Sequence, residues 1–289
     1  MKVAVLSGKG GAGKTLIAVN LAASAKKAIY IDCDVEEPNG RLFFKPENVR
    51  TKQVHTLLPE FDISKCTGCR KCVDFCHFNA LIYIKDKPKV FSEVCHACGG
   101  CGLVCPEHAI SEVERPVGHL EQGTHRNVDV ITGVLNLGEA SGIPVIRDAL
   151  KAGEAGEALA AKNDTETDSL TVIDCPPGSA CSVMESISDA DCCLLAAEPT
   201  AFGFHNFRMV YELASLLKKP CGVIINKMDA PYEPLEAFLQ EHEIPVLLRI
   251  PYDMKLAKLA ARGFIACEAD EAFASLFAEL LKKIGGAVR

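Results

Sequence analysis

Eight residues near the start, Gly8-Lys9-Gly10-Gly11-Ala12-Gly13-Lys14-Thr15, restrict the fold more than anything else in this 289-residue chain. They fit G-x-x-x-x-G-K-[ST], which requires a strand before it and a helix after it. Both are written beside it. Val3-Ala4-Val5-Leu6 reads as a buried strand, and a helix is expected from about Lys14 to Ala25. The glycines allow a tight turn whose N–H groups point at phosphate oxygens, and the helix N-terminus adds partial positive charge. Gly8, Gly10, Gly11, Ala12 and Gly13 are therefore expected to wrap a nucleotide's phosphates. Lys14 would reach the β- and γ-phosphates, and Thr15 would hold Mg²⁺ through its hydroxyl.

A second pattern accounts for the unusual cysteine content. Eight of fifteen cysteines lie between Cys66 and Cys105, as Cys66-x-x-Cys69-x-x-Cys72-x-x-x-Cys76 and Cys95-x-x-Cys98-x-x-Cys101-x-x-x-Cys105-Pro106. This is the bacterial ferredoxin spacing for two [4Fe–4S] clusters, with the fourth cysteine of each run serving the other cluster. One cluster would take Cys66, Cys69, Cys72 and Cys105; the other would take Cys95, Cys98, Cys101 and Cys76. Soft thiolates also suit zinc, but zinc sites usually show two separated pairs. His77 stands where the first run would have proline, which removes no ligand. Gly68, Gly99, Gly100 and Gly102 would let backbone amides approach cluster sulfurs. Lys65, Arg70 and Lys71 read as a solvated rim, with an acidic partner or a stabilised reduced state as the alternative. The remaining cysteines, Cys33, Cys175, Cys181, Cys192, Cys193, Cys221 and Cys267, are expected in the core as small hydrophobes. His55, His96, His108, His119 and His125 have no ligand spacing.

Around the cysteines the chain alternates short apolar runs with helical stretches. The runs are Ala28–Ile31, Leu170–Ile173, Cys193–Ala196, Cys221–Ile225 and Pro245–Leu248. This alternation predicts an α/β fold: a mostly parallel sheet with helices on both faces. The cysteine block interrupts it and reads as an inserted small ferredoxin-like α+β domain at 60–113, flanked by Pro59 and Pro116. It divides the nucleotide-binding part into 1–59 and 114–289. Residues 152–168 read as a helix end and a surface loop. Residues 271–284 read as a docked terminal helix with Lys282 and Lys283 in its last turn; a membrane-surface helix is the alternative reading. Hydrophobic residues at 48% and a net charge of −7 fit a soluble globular protein and weigh against a nucleic-acid coat. With no export signal and no apolar run near 20 residues, the expected location is the cytoplasm, where thiols serve as metal ligands more often than as disulfides.

Lys9, immediately after the first glycine, turns the loop into K-G-G-x-G-K-T. This resembles the deviant Walker A motif of the MinD/ParA superfamily, which includes the nitrogenase iron protein and the Mrp-type cluster carriers. The resemblance implies that Lys9 crosses a dimer interface to the partner's nucleotide, making Lys9, Lys14 and Asp34 the catalytic candidates. Ile31-Asp32-Cys33-Asp34, with Asn39, looks like the first switch segment. Asp32 would hold an Mg²⁺-bound water and Asp34 would position the attacking water. Val172-Ile173-Asp174-Cys175-Pro176-Pro177-Gly178 resembles Walker B with the second switch, Asp174 acting on Mg²⁺ through water. Asn226-Lys227-Met228-Asp229 fits N-K-x-D. In GTPases its Asp reads guanine, whereas the resemblance implies adenine contacts from Asn226 and therefore ATP or ADP. The whole chain is similar to members of the superfamily that carry an inserted ferredoxin domain. This implies a homodimer with ATP at the interface; an unidentified redox or metallocluster partner is expected, while the acidic net charge and the docked terminal helix weigh against nucleic acid and membrane. Three tasks remain open: an ATP-gated electron donor, a cluster assembly factor, and a positioning ATPase. The ferredoxin runs favour the first. The absence of any C-x-x-C outside them weighs against simple carrier chemistry.

Overall fold

The computed structural model describes residues 1–85, 87–163 and 169–287. Its centre is a nine-stranded sheet in the order β11-β10-β9-β1-β8-β2-β7-β6-β3. Seven strands are parallel: β1 (Lys2–Ser7), β2 (Ala28–Asp32), β7 (Val128–Leu135), β8 (Leu170–Asp174), β9 (Cys192–Ala197), β10 (Cys221–Met228) and β11 (Val246–Pro251). β2, β8 and β9 are buried along their whole length and β1 from Val3 onward, which is why they read as unbroken apolar runs. The last expected strand is displaced towards the C-terminus: pairing starts at Val246 and extends through Pro251.

Alternate residues of β1 serve two separate cores, as pleating requires. Val3 and Val5 pack on one face with helices α1 (Lys14–Ser24), α9 (Met254–Ala261), α10 (Ala266–Ala269) and α11 (Glu271–Ala287). Ala4 and Leu6 pack on the other with α5 (Ile143–Asn163), α6 (Cys181–Ile187), α7 (Ala201–Leu216) and α8 (Glu233–Glu241). The mostly parallel α/β sandwich is thus established.

α11 docks through Phe273, Phe277, Leu280 and Ile284. It runs three residues past the expected end, so Lys282 and Lys283 lie before its final turn, and Lys283 donates to Leu247 O. Residues 152–163 continue α5, so the helix is longer than expected there. The loop expected at 164–168 lies outside the described residues. Cys181 is exposed in the first turn of α6 and does not join the core, because only the later residues of that short helix face the sheet.

The remaining two strands of the sheet build an arm. β3 (Glu47–Phe61) and β6 (Ile110–His125) pair antiparallel from Glu47↔Thr124 out to Phe61↔Ile110, and β6 also pairs with β7. The one-turn helix α2 (Gly40–Phe44) leads into β3. The limits expected at 60 and 113 fall inside these continuous strands. Pro116 sits where the ladder shifts register between Val54 and His55, a place that tolerates a missing N–H donor.

At the tip, residues 62–109 hold the short helices α3 (Lys71–Phe75) and α4 (Gly100–Leu103) and the hairpin β4 (Leu81–Ile84) with β5 (Lys87–Val90). Its two cysteine runs share a backbone pattern. Gly68 and Ala97, Arg70 and Gly99, and Asn79 and His108 occupy matching places in the two runs, and all six have positive φ.

Candidate nucleotide site and cysteine cavities

The phosphate loop spans the C-terminal end of central strand β1 and the start of α1, where ligands of open α/β sheets bind. Gly13 has φ +93°, and a Cβ there would lie 2.1 Å from Asn226 Nδ2, so only glycine fits. The loop borders a cavity of about 520 Å³. Lys9, Lys14, Thr15, Asp34, Asn39 and Pro176 are among its lining residues, so three distant segments of sequence meet on one space.

Lys14 is almost fully buried, and its Nζ lies 2.7 Å from Asp174 Oδ1 and 3.5 Å from Asp34 Oδ2. Burial alone would lower its pKa, but Asp174 and Asp34 outweigh that and raise it. Asp32 is fully buried; it accepts Gly40 N–H (2.9 Å) and Asp34 N–H (3.2 Å). Burial, then the neighbouring Asp174, hold the Asp32 carboxyl well above the usual carboxylate range. Burial and Asp174 likewise push Asp34 up to about 6, against the pull of Lys14. Three carboxylates around one ammonium leave an excess of negative charge, an arrangement suited to a divalent cation beside Thr15.

Asn226 does not line the cavity. It lies beneath the loop and donates to Ala12 O at 2.9 Å. Asp229 is exposed beyond β10 and also lies off the cavity. Lys9 pairs with Glu198 Oε2 and sits 5.2 Å from the Phe202 ring centroid. Glu198 also binds Lys227 Nζ (2.8 Å), which donates to Gly11 O (2.6 Å). Burial alone would raise the Glu198 carboxyl, but these two lysines bring it below its ordinary range. Sequence reasoning assigned Glu198 no role; its position at the end of β9, beside the loop, was the available signal.

The cysteines gather in two sets at the arm's tip. Cys76, Cys95, Cys98 and Cys101 line one cavity of about 160 Å³. Cys66, Cys69, Cys72 and Cys105 line a narrower one of about 20 Å³. Each set joins three cysteines of one run to the last cysteine of the other. Among the described residues, no three His, Cys, Asp or Glu side chains converge on a point that would suit a single ion. The sulfurs surround spaces, as a polynuclear group needs. Ala109 N–H points at Cys105 Sγ (3.4 Å), a donor suited to a thiolate. Burial, with Cys95 and Cys98 nearby, pushes the Cys101 thiol up to about 11.

A strand–phosphate-loop–helix unit, with buried acids meeting its lysine at the carboxyl end of a parallel sheet, defines a P-loop nucleotide-binding protein. Residues 3–264 match the CobQ/CobB/MinD/ParA nucleotide binding domain, and the chain belongs to that family. An uncharacterised protein of Methanocaldococcus jannaschii is 28% identical over 290 residues, covering 98% of this chain and 96% of that one. The iron-sulfur cluster carrier protein of the same organism is 24% identical, covering 99% and 85%. An uncharacterised ferredoxin from it is 42% identical over 53 residues, 17% of this chain and 69% of that one. The cell division ATPase MinD of Pyrococcus furiosus has the same fold, with a TM-score of 0.56, 18% identity and 98% of each chain covered. Among the described residues, no helix is long and apolar enough to cross a membrane.

Proposed function

We propose that this protein is a dimeric, cytoplasmic ATP-binding and hydrolysing iron–sulfur protein that couples nucleotide state to electron transfer through two [4Fe–4S] clusters. The observation that carries the reading is the continuous path from α2, whose first N–H is held by Asp32, along β3 to two cavities each lined by four cysteines. The loop amides and Lys14 would bind the triphosphate, with Thr15, Asp32 and Asp174 around Mg²⁺. Asp34 would orient the attacking water, and Lys9 would exchange Glu198 for a phosphate across the dimer seam. Cys66, Cys69, Cys72 and Cys105 would hold one cluster and Cys76, Cys95, Cys98 and Cys101 the other. When bound, the clusters supply one-electron chemistry. The similarity to a ferredoxin over 53 residues supports this assignment.

The test is anaerobic purification with iron, sulfide and ATPase assays. About eight irons and eight sulfides per chain are expected. Lys14→Ala should keep the iron and lose about 100-fold or more in Mg²⁺-dependent ATP turnover. A wild-type protein that holds zinc, or that does not bind ATP, would overturn the reading. A second reading, an ATP-dependent assembly factor for iron–sulfur or other metal clusters, is supported by the similarity to the iron-sulfur cluster carrier protein. It predicts that clusters leave this chain for an apo-acceptor upon ATP hydrolysis, whereas an electron donor keeps them.

A further inference from the structure

Tyr30 has no part in the phosphate-loop chemistry, yet it lies between its acids. It precedes Asp32 by two residues on β2, so both side chains fall on the same face of the sheet. The side chain is fully buried. Its hydroxyl donates to Asp174 Oδ2 at 2.8 Å and lies 3.5 Å from Asp32 Oδ2. Asp174's other oxygen takes Lys14, and Asp32 Oδ2 also accepts the N–H of Gly40, the first residue of α2. The phenol fills the space beside Gly40: a Cβ there would stand 2.2 Å from the hydroxyl oxygen. The Phe44 ring, at the far end of α2, lies 4.9 Å from the Tyr30 ring, centroid to centroid. Phe44 in turn meets the ring of His125, the last residue of β6, at 5.6 Å. One side chain therefore touches both acids and both ends of α2, and α2 sits at the root of both strands of the arm.

We propose that Tyr30 is a positioning residue that ties the carboxylates of the nucleotide site to α2 and, through Phe44, to the arm that carries the cysteines. The inference rests on the ATPase reading and names the contacts through which that site would reach residues 62–109. A phenol donates a single hydrogen bond, and here it goes to Asp174. A cation arriving beside these acids competes with the Tyr30 O–H and the Gly40 N–H for the same oxygens. Any redistribution shifts a one-turn helix held at both ends by the same ring. Small shifts of this kind become larger ones when a packed element has two discrete arrangements.

The experiment is amide hydrogen exchange on the full chain, with and without Mg²⁺ and a non-hydrolysable ATP analogue, alongside ATP turnover. In the wild type, nucleotide should change exchange across residues 40–61 and 110–125. Tyr30→Phe keeps the ring and removes the donor. It should bind nucleotide within about threefold of wild type, because binding uses the loop and Lys14, while the arm's response disappears and kcat falls about tenfold through misplaced carboxylates. Phe44→Leu keeps the hydroxyl and breaks the ring contact. It should retain turnover and lose the arm response, and it decides the matter alone if Tyr30→Phe does not fold. Wild-type exchange responses in both variants, or no arm response in a wild type that binds ATP, would overturn this inference and leave the ATPase reading standing. A wild type that does not bind ATP would remove both.

Discussion

Asp34 shows at a single residue how a site suited to a cation weakens the fold that holds it. Its carboxyl is pushed to about 6 by burial and Asp174. A carboxyl raised above its unfolded value stabilises the fold only while protonated, so that contribution is lost as pH rises through about 6. At pH 7 the nucleotide-free protein therefore carries an unfavourable charge. Asp34→Asn should raise its stability by about 1–2 kcal/mol after discounting for solvent screening, or a few degrees in Tm. The same change should abolish most ATP turnover, and calorimetry beside an ATPase assay checks both. An unchanged or lowered Tm at pH 7 would contradict the charge account. The meeting of Lys14 with Asp34 and Asp174 could be anticipated in the sequence because Asp174 ends an apolar strand and Asp34 follows the end of another by two residues, both near a phosphate loop. Tyr30 could not. A tyrosine inside a β-branched run reads as an ordinary strand former, and its partner Asp174 is 144 residues away. Glu198 was hidden for a similar reason: it links two lysines that only the tertiary fold brings together.

Among the elements, the parallel strands were readable because burial on both faces leaves unbroken apolar runs. β3 was not. Val54, Leu58 and Pro59 are its buried residues, and the rest meet solvent at the sheet's edge, so no periodicity marks it. Its pairing with β6 joins residues up to 77 apart in sequence, from Glu47 to Thr124, which no local pattern announces. β7 does carry a readable apolar run in Val128–Leu135, but it follows β6 with only a two-residue turn and lies outside the strand–helix alternation. The cysteine runs were readable for a different reason, since their spacing encodes which sulfurs share a space. Cys76 belongs to the first run but lines the cavity of the second. Cys76→Ser should therefore damage the cluster held by Cys95, Cys98 and Cys101, leaving about four irons in the set of Cys66, Cys69, Cys72 and Cys105. Spectra and iron counts showing loss of the Cys66, Cys69 and Cys72 cluster would contradict the crossed arrangement. At the junction of β10 with the phosphate loop, Asn226→Ala removes the bond to Ala12 O. It should weaken ATP and GTP binding alike, about tenfold, while ATP remains preferred. GTP preference dependent on Asp229 would reverse the base assignment.

For the whole molecule, nucleotide site and cysteine tip are joined by a two-stranded arm, β3 with β6, that is paired to the central sheet through β7. If ATP closes two chains around Lys9, both tips are repositioned together, and hydrolysis releases them. Energetic coupling between sites is reciprocal, so cluster oxidation state must then alter nucleotide affinity by the same factor that nucleotide alters cluster reduction. A coupling of about 1–3 kcal/mol corresponds to about 40–130 mV for a one-electron step. The most direct measurement is an anaerobic redox titration of the full protein without nucleotide, with ADP, and with a non-hydrolysable ATP analogue, repeated on Lys9→Ala. The account predicts midpoints that move by tens of millivolts or more between nucleotide states in the wild type and collapse towards one value in Lys9→Ala. Identical midpoints in all three states, with ATP turnover indifferent to cluster reduction, would contradict it.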